Sequence, residues 1–230
     1  MKYLYLTLTS ITLAYLVINL FIYFYQRNLL YNPSENNYLN DKINFNYKEI
    51  FIETDKNIKL KSWFINKDLK KFKTVVFFHG NAGNLLNRVH KINELNKLDI
   101  NILLTSWRGF SGNKGKPSEK NLYYDAQQII DWLKVQGLDN KDIVLYGESL
   151  GTGVATELAS KNNFGGIILE SPFTSMVDTA KIYYPYLPVN LLLKDRYDSK
   201  SKINDIKTPI LIMHGKMDNI VPQQMGLELF

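Results

Sequence analysis

The pentapeptide GESLG at residues 147–151 constrains the fold of this 230-residue chain more than any other feature. It directly follows the apolar run at residues 143–146 and directly precedes a segment whose apolar residues recur at helical spacing. A G-x-S-x-G sequence between a strand and a helix is typical of a nucleophile elbow, in which a sharp turn exposes the serine hydroxyl. The pattern predicts Ser149 as a nucleophile at a helix N-terminus, where the helix dipole favours negative charge.

A second glycine-containing loop, HGNAGN at residues 79–84, follows the apolar run TVVFF. Acyl transfer needs donors aimed at a developing oxyanion, and backbone N–H groups provide them without reorganisation. We expect the N–H groups of Leu150 and Asn81 to form this oxyanion hole. The alternative is a helix-entry turn that binds no ligand. His79 is interpreted as structural, because it ends the strand before the turn.

Strand and helix signals alternate along the rest of the chain. The segments YKEIFIET and IKLKSWFI predict an antiparallel entry pair, and Ser118 is a candidate N-cap for an amphipathic helix. Short apolar runs typical of strands buried on both faces follow: TVVFF, INILLTS, IVLYG, GIILES and PILIM. This alternation predicts an α/β fold with a mostly parallel sheet and helices on both faces.

Residues 3–25 carry no charge. At about 1.5 Å per residue this run reaches roughly 35 Å, enough to cross a bilayer core. A cleavable signal peptide has a shorter apolar core and ends in small residues, whereas this run ends in FIYFY. We therefore predict a single-pass membrane protein with a transmembrane anchor at 1–27, a linker at 28–45 and a globular domain at 46–230. Lys2 and Arg27 flank the run evenly, so its orientation stays open.

Composition excludes several classes of function. The chain has no cysteine, which rules out disulfides, thiolate catalysis and cysteine-ligated zinc. Its net charge is +6, with lysines concentrated from Lys56 to Lys73, but no nucleic-acid-binding motif accompanies them. We interpret these lysines as a solvated hairpin edge. No metal-ligand cluster and no phosphate-binding glycine loop is present, so we expect no metal and no cofactor; the oligomeric state is not predicted.

An ordered set of motifs resembles the membrane-anchored α/β-hydrolases, abhydrolase-domain proteins often described as serine aminopeptidase-like. The segments are QRNLLYNP, HGNAGN, SWRGFSGNKGKPSEKNLYYDA, GESLGTGVA, ESPFTSM and DIKTPILIMHGKMDNIVP, spanning about residues 26–222. The resemblance implies the α/β-hydrolase fold and a serine hydrolase that acts on esters, thioesters or amides. It does not identify the substrate.

By the same resemblance, Asp218 matches the acid of the catalytic triad. Asp218 follows a late strand, at the sheet edge where Ser149 is also expected, and serine before aspartate is the order of this fold. Two alternatives remain open. Glu170 ends another strand and could serve as the acid, and Asp218 could simply cap the loop in which it lies.

The third member of the triad has no match. In the family a histidine follows the acid after one more helix and strand, but 12 residues follow Asp218 and none is histidine. We therefore expect a domain that lacks its last strand and helix, and a hydrolase that is impaired. His79 is a weak substitute base, His90 is expected to face solvent, and His214 ends a strand. The alternative function is an inactive, truncated pseudo-hydrolase or a membrane-tethered binding module.

The segment YYPYLPVNLLL at residues 183–193 is aromatic and aliphatic. It could line an acyl-binding cleft, rest on the bilayer, or form a packed connection. The first two interpretations favour a small-molecule or lipid-like acyl substrate.

Overall fold

The computed structural model describes residues 1–34, 42–55 and 57–230. Residues 35–41 of the predicted linker and Lys56 of the lysine cluster lie outside the described residues. The strands are β1 (Asn32–Pro33), β2 (Lys48–Asp55), β3 (Ile58–Ile65), β4 (Thr74–Phe78), β5 (Ala82–Gly83), β6 (Asn101–Thr105), β7 (Ile143–Glu148), β8 (Gly166–Glu170) and β9 (Ile210–Met213). The α-helices are α1 (Lys2–Leu30), α2 (Val89–Leu95), α3 (Glu119–Val135), α4 (Leu150–Lys161), α5 (Met176–Tyr183), α6 (Val189–Leu192) and α7 (Gln223–Leu227).

Seven strands form the main sheet in the order β2-β3-β6-β4-β7-β8-β9. The β2–β3 and β3–β6 pairs are antiparallel and the remaining pairs are parallel, so both the antiparallel entry pair and the mostly parallel sheet are confirmed. Each predicted apolar run forms a strand. Among the described residues β9 lies at the edge of the sheet, and Leu211 remains 51% exposed.

Both faces of the sheet are covered, as the sequence predicts. Along β4, Val76 and Phe78 belong to one apolar cluster, which includes residues of α3 and α4. Val75 and Phe77 belong to a second cluster, which includes residues of α2. Because successive side chains of a strand point to opposite faces, covering both faces requires the continuous apolar runs that the sequence contains.

Helix starts follow local capping chemistry. The Ser118 hydroxyl accepts a 3.2 Å hydrogen bond from the N–H of Asn121 at the start of α3, which confirms its role as N-cap. The helical segment after the HGNAGN loop is divided: a 3₁₀ turn at Leu85–Arg88, capped by Asn84, leads into α2.

Helix α1 is long and apolar enough to cross a membrane, judged by its length and composition, and an 18-residue window within it has a mean hydropathy of 1.8. It continues to Leu30, within the segment predicted as linker. Its second half packs against residues 176–193, here called the cap segment. The Tyr15 hydroxyl donates to the carbonyl of Tyr186 (2.9 Å), and the Gln26 amide donates to the carbonyl of Leu192 (2.9 Å).

Candidate active site

Ser149 occupies a tight turn between β7 and α4. Its backbone has φ 49° and ψ −115°, a conformation that costs a non-glycine residue about 1–3 kcal/mol. The flanking glycines let the chain pass close to its neighbours: a Cβ on Gly151 would lie 2.0 Å from the carbonyl oxygen of Phe78. A Cβ on Gly147 would lie 2.5 Å from the carbonyl oxygen of Gly151. The predicted strand–turn–helix context of Ser149 is thus present.

The HGNAGN loop lies beside this turn, because β4 and β7 are parallel neighbours with Phe78 opposite Gly147. A Cβ on Gly80 would lie 3.5 Å from the Cβ of Ser149. Within the described part of the chain, the backbone N–H groups of Asn81 and Leu150 donate no hydrogen bond. Two unpaired donors therefore lie on the two loops that meet at Ser149.

The segment after α1 holds the HGNAGN loop in place. The Asn81 side-chain amide donates to the carbonyl of Leu30 at 2.7 Å, and the Asn32 N–H donates to the carbonyl of Asn81 at 2.9 Å. Strands β1 and β5 continue this pairing. No pattern in the sequence predicts this contact, although the segment QRNLLYNP belongs to the ordered motifs of the family.

Arg88 connects the HGNAGN loop with the serine turn. Its Nη2 donates to the carbonyl of Ala82 at 3.0 Å, and its Nε lies 3.0 Å from Oε2 of Glu148. The two side chains are 12% and 25% exposed, so solvent screens the ion pair only in part. Sequence reasoning missed Arg88, which no motif marks.

Asp218 lies in the loop after β9. Its Oδ1 accepts hydrogen bonds of 2.9 Å from the N–H groups of Ile220 and Val221. Burial pushes the pKa of Asp218 up, but these two bonds and the Ser171 hydroxyl outweigh burial and hold it below its usual range. Ser149 and Asp218 thus follow the carboxyl ends of β7 and β9, and β8 lies between these two strands in the sheet.

The alternative acid, Glu170, has partners of its own. Its Oε2 accepts a 2.7 Å hydrogen bond from the Tyr146 hydroxyl and also pairs with the Lys91 ammonium. The backbone carbonyl of Glu170 accepts the N–H of Ser149 at 2.9 Å. Glu170 therefore supports the serine turn through its main chain.

His79 is fully buried among Trp107 and Phe110, with its Nδ1 2.7 Å from the carbonyl oxygen of Gly80. Burial, helped by the nearby Arg88 charge, lowers the pKa of His79 to about 3, so the ring is neutral near pH 7. This supports the structural interpretation of His79.

The other two histidines also lie outside the serine turn. The Nε2 of His214 lies 2.7 Å from the carbonyl oxygen of Val221 and 3.7 Å from Oδ2 of Asp218. His90 is exposed, as expected. In the described part of the chain, no hydrogen bond joins a histidine ring to Ser149.

A cavity of about 320 Å³ lies between α1 and the cap segment. It reaches the candidate site through Asn81 of the HGNAGN loop and Ile220 of the Asp218 loop. Most of the other lining residues are apolar, among them Ile22, Leu29, Leu30, Met176, Ala180, Leu187, Val189, Leu192 and Leu193. The cap segment thus lines a cleft and is more than a packed connection. Among the described residues no group of three or more His, Asp or Glu side chains could hold a metal ion.

Residues 73–201 match the alpha/beta hydrolase fold family. Protein bem46 of Schizosaccharomyces pombe is 31% identical over 225 residues, covering 91% of this chain and 75% of that protein. Lysophosphatidylserine lipase ABHD12 of Danio rerio is 32% identical over 188 residues, covering 73% of this chain and 49% of that protein. A Pyrococcus furiosus esterase superposes with a TM-score of 0.65 at 24% identity, covering 86% of this chain and 83% of the esterase.

These similarities agree with the observed α/β fold and its mostly parallel sheet. The family match alone extends over more than half of the 230 residues. The chain spans about half the length of the lysophosphatidylserine lipase and three quarters of bem46. The chain belongs to the α/β-hydrolase fold family.

Proposed function

We propose that this chain is a membrane-anchored serine hydrolase that cleaves the ester of a lipid-like acyl substrate through an acyl-enzyme. The observation that carries the proposal is the strained backbone of Ser149, beside the unpaired N–H groups of Asn81 and Leu150. Non-glycine residues in such conformations cluster at active sites. Two similar proteins, a lysophosphatidylserine lipase and an esterase, support an ester of a lipid-like acid as the substrate.

In the proposed reaction the Ser149 Oγ bonds to the substrate carbonyl carbon, while its proton passes to an imidazole base. The carbonyl oxygen becomes an oxyanion, which accepts hydrogen bonds from the N–H groups of Asn81 and Leu150. The bond to the leaving alcohol then breaks and the alcohol takes the proton from the imidazolium. A water molecule then attacks the acyl-enzyme carbonyl in the same way and gives a proton to the imidazole. The Ser149 Oγ leaves, takes that proton back, and the carboxylic acid is released. Asp218 would orient the imidazole and stabilise its charge.

None of the three histidines supplies this imidazole: His79 is buried, His214 bonds to Val221, and His90 is exposed. We therefore propose that the 230-residue chain by itself hydrolyses its substrate slowly. Without its base, a serine hydrolase retains roughly 1,000–10,000-fold acceleration over water from the oxyanion hole and binding. The same observation favours a second candidate function, a membrane-tethered module that binds the lipid and performs no chemistry.

Chemical rescue distinguishes the two functions. The full chain in detergent micelles would be given p-nitrophenyl octanoate with increasing free imidazole, and Ser149→Ala would measure the background reaction of imidazole with the ester. We expect saturable, imidazole-dependent hydrolysis that requires Ser149 and falls about tenfold or more in Asp218→Asn. Absence of rescue together with absence of fluorophosphonate labelling would support the binding module. Fast, Ser149-dependent hydrolysis without imidazole would contradict the proposed lack of a base.

A further inference from the structure

We propose that the cavity between α1 and the cap segment binds a single acyl chain that enters from the bilayer, and that α1 forms the wall that limits chain length. The inference rests on the proposed function for its substrate, but the binding itself needs no catalysis. It gives α1 a role in substrate binding in addition to anchoring.

One stripe of α1 faces the cavity. Ile22, Gln26, Leu29 and Leu30 line it, and they recur at the spacing of three and four that marks a single helix face. The opposite face is mostly exposed in the described structure, with Leu20 59% and Phe24 68% exposed, although the Lys194 ammonium lies 5.5 Å from the centre of the Phe24 ring. A helix that served only as a tether would not need a face shaped to the domain.

The C-terminal end of α1 is fixed to the domain by an ion pair. Two nitrogens of Arg27 donate to the two carboxylate oxygens of Asp195, at 2.8 and 2.9 Å, and the Asp195 side chain is only 4% exposed. The Tyr31 hydroxyl contacts the same carboxylate at 3.1 Å. The cavity wall is therefore held in one position relative to the cap segment.

The tip of the cap segment lies alongside the uncharged run of α1, and Ile22, which lines the cavity, belongs to the same run. The hydrogen bond between Tyr15 and Tyr186 holds the tip of the cap segment beside Tyr15. Tyr15 lies about ten residues, or roughly 15 Å, along α1 from Tyr25, the last residue of the uncharged run. That distance is about half of a hydrocarbon core of ~30 Å. Tyr186 and Leu191 are 88% and 83% exposed, which suits contact with lipid better than contact with water.

The cavity opens to the surface between α1 and the cap segment. Leu29 and Tyr184 line it yet remain 65% and 57% exposed, so they mark its mouth. Asn81 and Ile220, from the two loops that flank the candidate site, also line the cavity. At roughly 30 Å³ per water-sized group, the volume of about 320 Å³ suits a chain of about ten carbons.

Photo-crosslinking tests binding separately from hydrolysis. The full chain in phosphatidylcholine nanodiscs would be loaded with clickable, diazirine-bearing monoacylglycerols with acyl chains of roughly six to sixteen carbons, a range centred near the length that fits the cavity. We expect labelling to peak near the middle of the series, on peptides from α1 and the cap segment, and to be equal in Ser149→Ala. Ala180→Trp, which fills the cavity, should lower labelling about tenfold, and Leu20→Trp on the outer face of α1 should not.

Ala180→Trp would also lose labelling if the protein misfolded, so a second variant that enlarges the cavity is needed. Ile22→Ala should shift the peak of the labelling profile to longer chains. Labelling that is independent of chain length, or unaffected by both Ala180→Trp and Ile22→Ala, would overturn the proposal. The two proposals can fail separately. If photo-crosslinking gives the expected profile but added imidazole does not restore hydrolysis, the acyl-chain site is supported and the proposed hydrolysis is contradicted.

Discussion

The side-chain amide of Asn81 donates a 2.7 Å hydrogen bond to the carbonyl oxygen of Leu30, the last residue of α1. The last carbonyl groups of a helix have no partner within the helix, so this bond satisfies one of them from the HGNAGN loop. The Asn32 N–H returns a bond to the carbonyl of Asn81. The candidate membrane span and the proposed oxyanion loop therefore form one hydrogen-bonded unit.

Asn81→Ala removes the side-chain bond to Leu30 and leaves the backbone N–H of residue 81 in place. Loss of one such bond costs about 1 kcal/mol, and we expect it to appear as loosening of the loop. Amide hydrogen exchange in residues 80–84 should accelerate about fivefold. Imidazole-rescued hydrolysis should fall as well.

Asn121→Ala is the matched control. Its amide makes the same kind of bond, to the carbonyl of Lys116 at 3.1 Å, on an exposed surface. If both variants changed exchange in the HGNAGN loop equally, or neither did, the link between α1 and the loop would have no mechanical importance.

Asp195→Ala leaves Arg27 without its carboxylate partner. Breaking a buried ion pair costs about 3–5 kcal/mol. Arg27 is 45% exposed, however, so we expect a loss of only about 2 kcal/mol. Denaturant unfolding of the full chain in micelles measures this loss. Glu94→Ala, which breaks the exposed pair with Lys97, should cost at most about 0.5 kcal/mol; similar losses in the two variants would show that the Arg27–Asp195 pair does not fasten α1.

The sheet was predictable because its signals are local. A run such as TVVFF is apolar at every position because both faces of β4 are covered, and residues 147–151 carry the glycines that the close approach to Phe78 requires. The predicted sequence contexts of Ser149, Asn81 and Asp218 are likewise local. Their chemical roles remain predictions, which the rescue experiment addresses.

The packing of α1 was not predictable from the same signals. Its contacts with Asn81, Tyr186 and Asp195 join residues more than 50 positions apart, and no hydrophobic period encodes such a pairing. Gln26 and Arg27 at the end of the apolar run look like ordinary interfacial residues in the sequence. Only the tertiary structure shows that their side chains bond to the cap segment and to Asp195.

His79 should make the protein sensitive to acid between pH 6.5 and 5. Its pKa is about 3 in the fold and near 6.5 in the unfolded chain. In this window the unfolded chain binds the extra proton, so stability is fully present above about pH 6.5 and declines as the pH falls towards 3. The midpoint of denaturant unfolding of the full chain should decrease as the pH is lowered. His79→Gln should make this midpoint less dependent on pH. His90→Gln, at an exposed position, should keep the parental slope; a flat parental profile would contradict the burial of a neutral His79.

Ser149→Gly separates backbone strain from chemistry. Glycine adopts φ 49° without the penalty paid by serine, while the greater freedom of glycine in the unfolded chain offsets part of the gain. We expect a rise in stability of up to about 1 kcal/mol and complete loss of imidazole-rescued hydrolysis. Ser149→Ala should lose hydrolysis without this rise in stability. Equal unfolding midpoints for the glycine and alanine variants would indicate that the turn stores no strain.

Gly151→Ala tests the close approach that places Ser149 at the end of the sheet. A Cβ at this position would lie 2.0 Å from the carbonyl oxygen of Phe78, and a backbone atom cannot move aside as a flexible side chain can. The start of α4 must shift away from β4, at a cost of more than about 3 kcal/mol. Denaturant unfolding would measure this, and imidazole-rescued hydrolysis should vanish with it. Gly215→Ala, where nothing lies within 4 Å of the added Cβ, should stay within about 0.5 kcal/mol of the parent protein. A mild effect at Gly151 would mean that the serine turn has room to relax, and that Ser149 is not held rigidly between the two unpaired N–H groups.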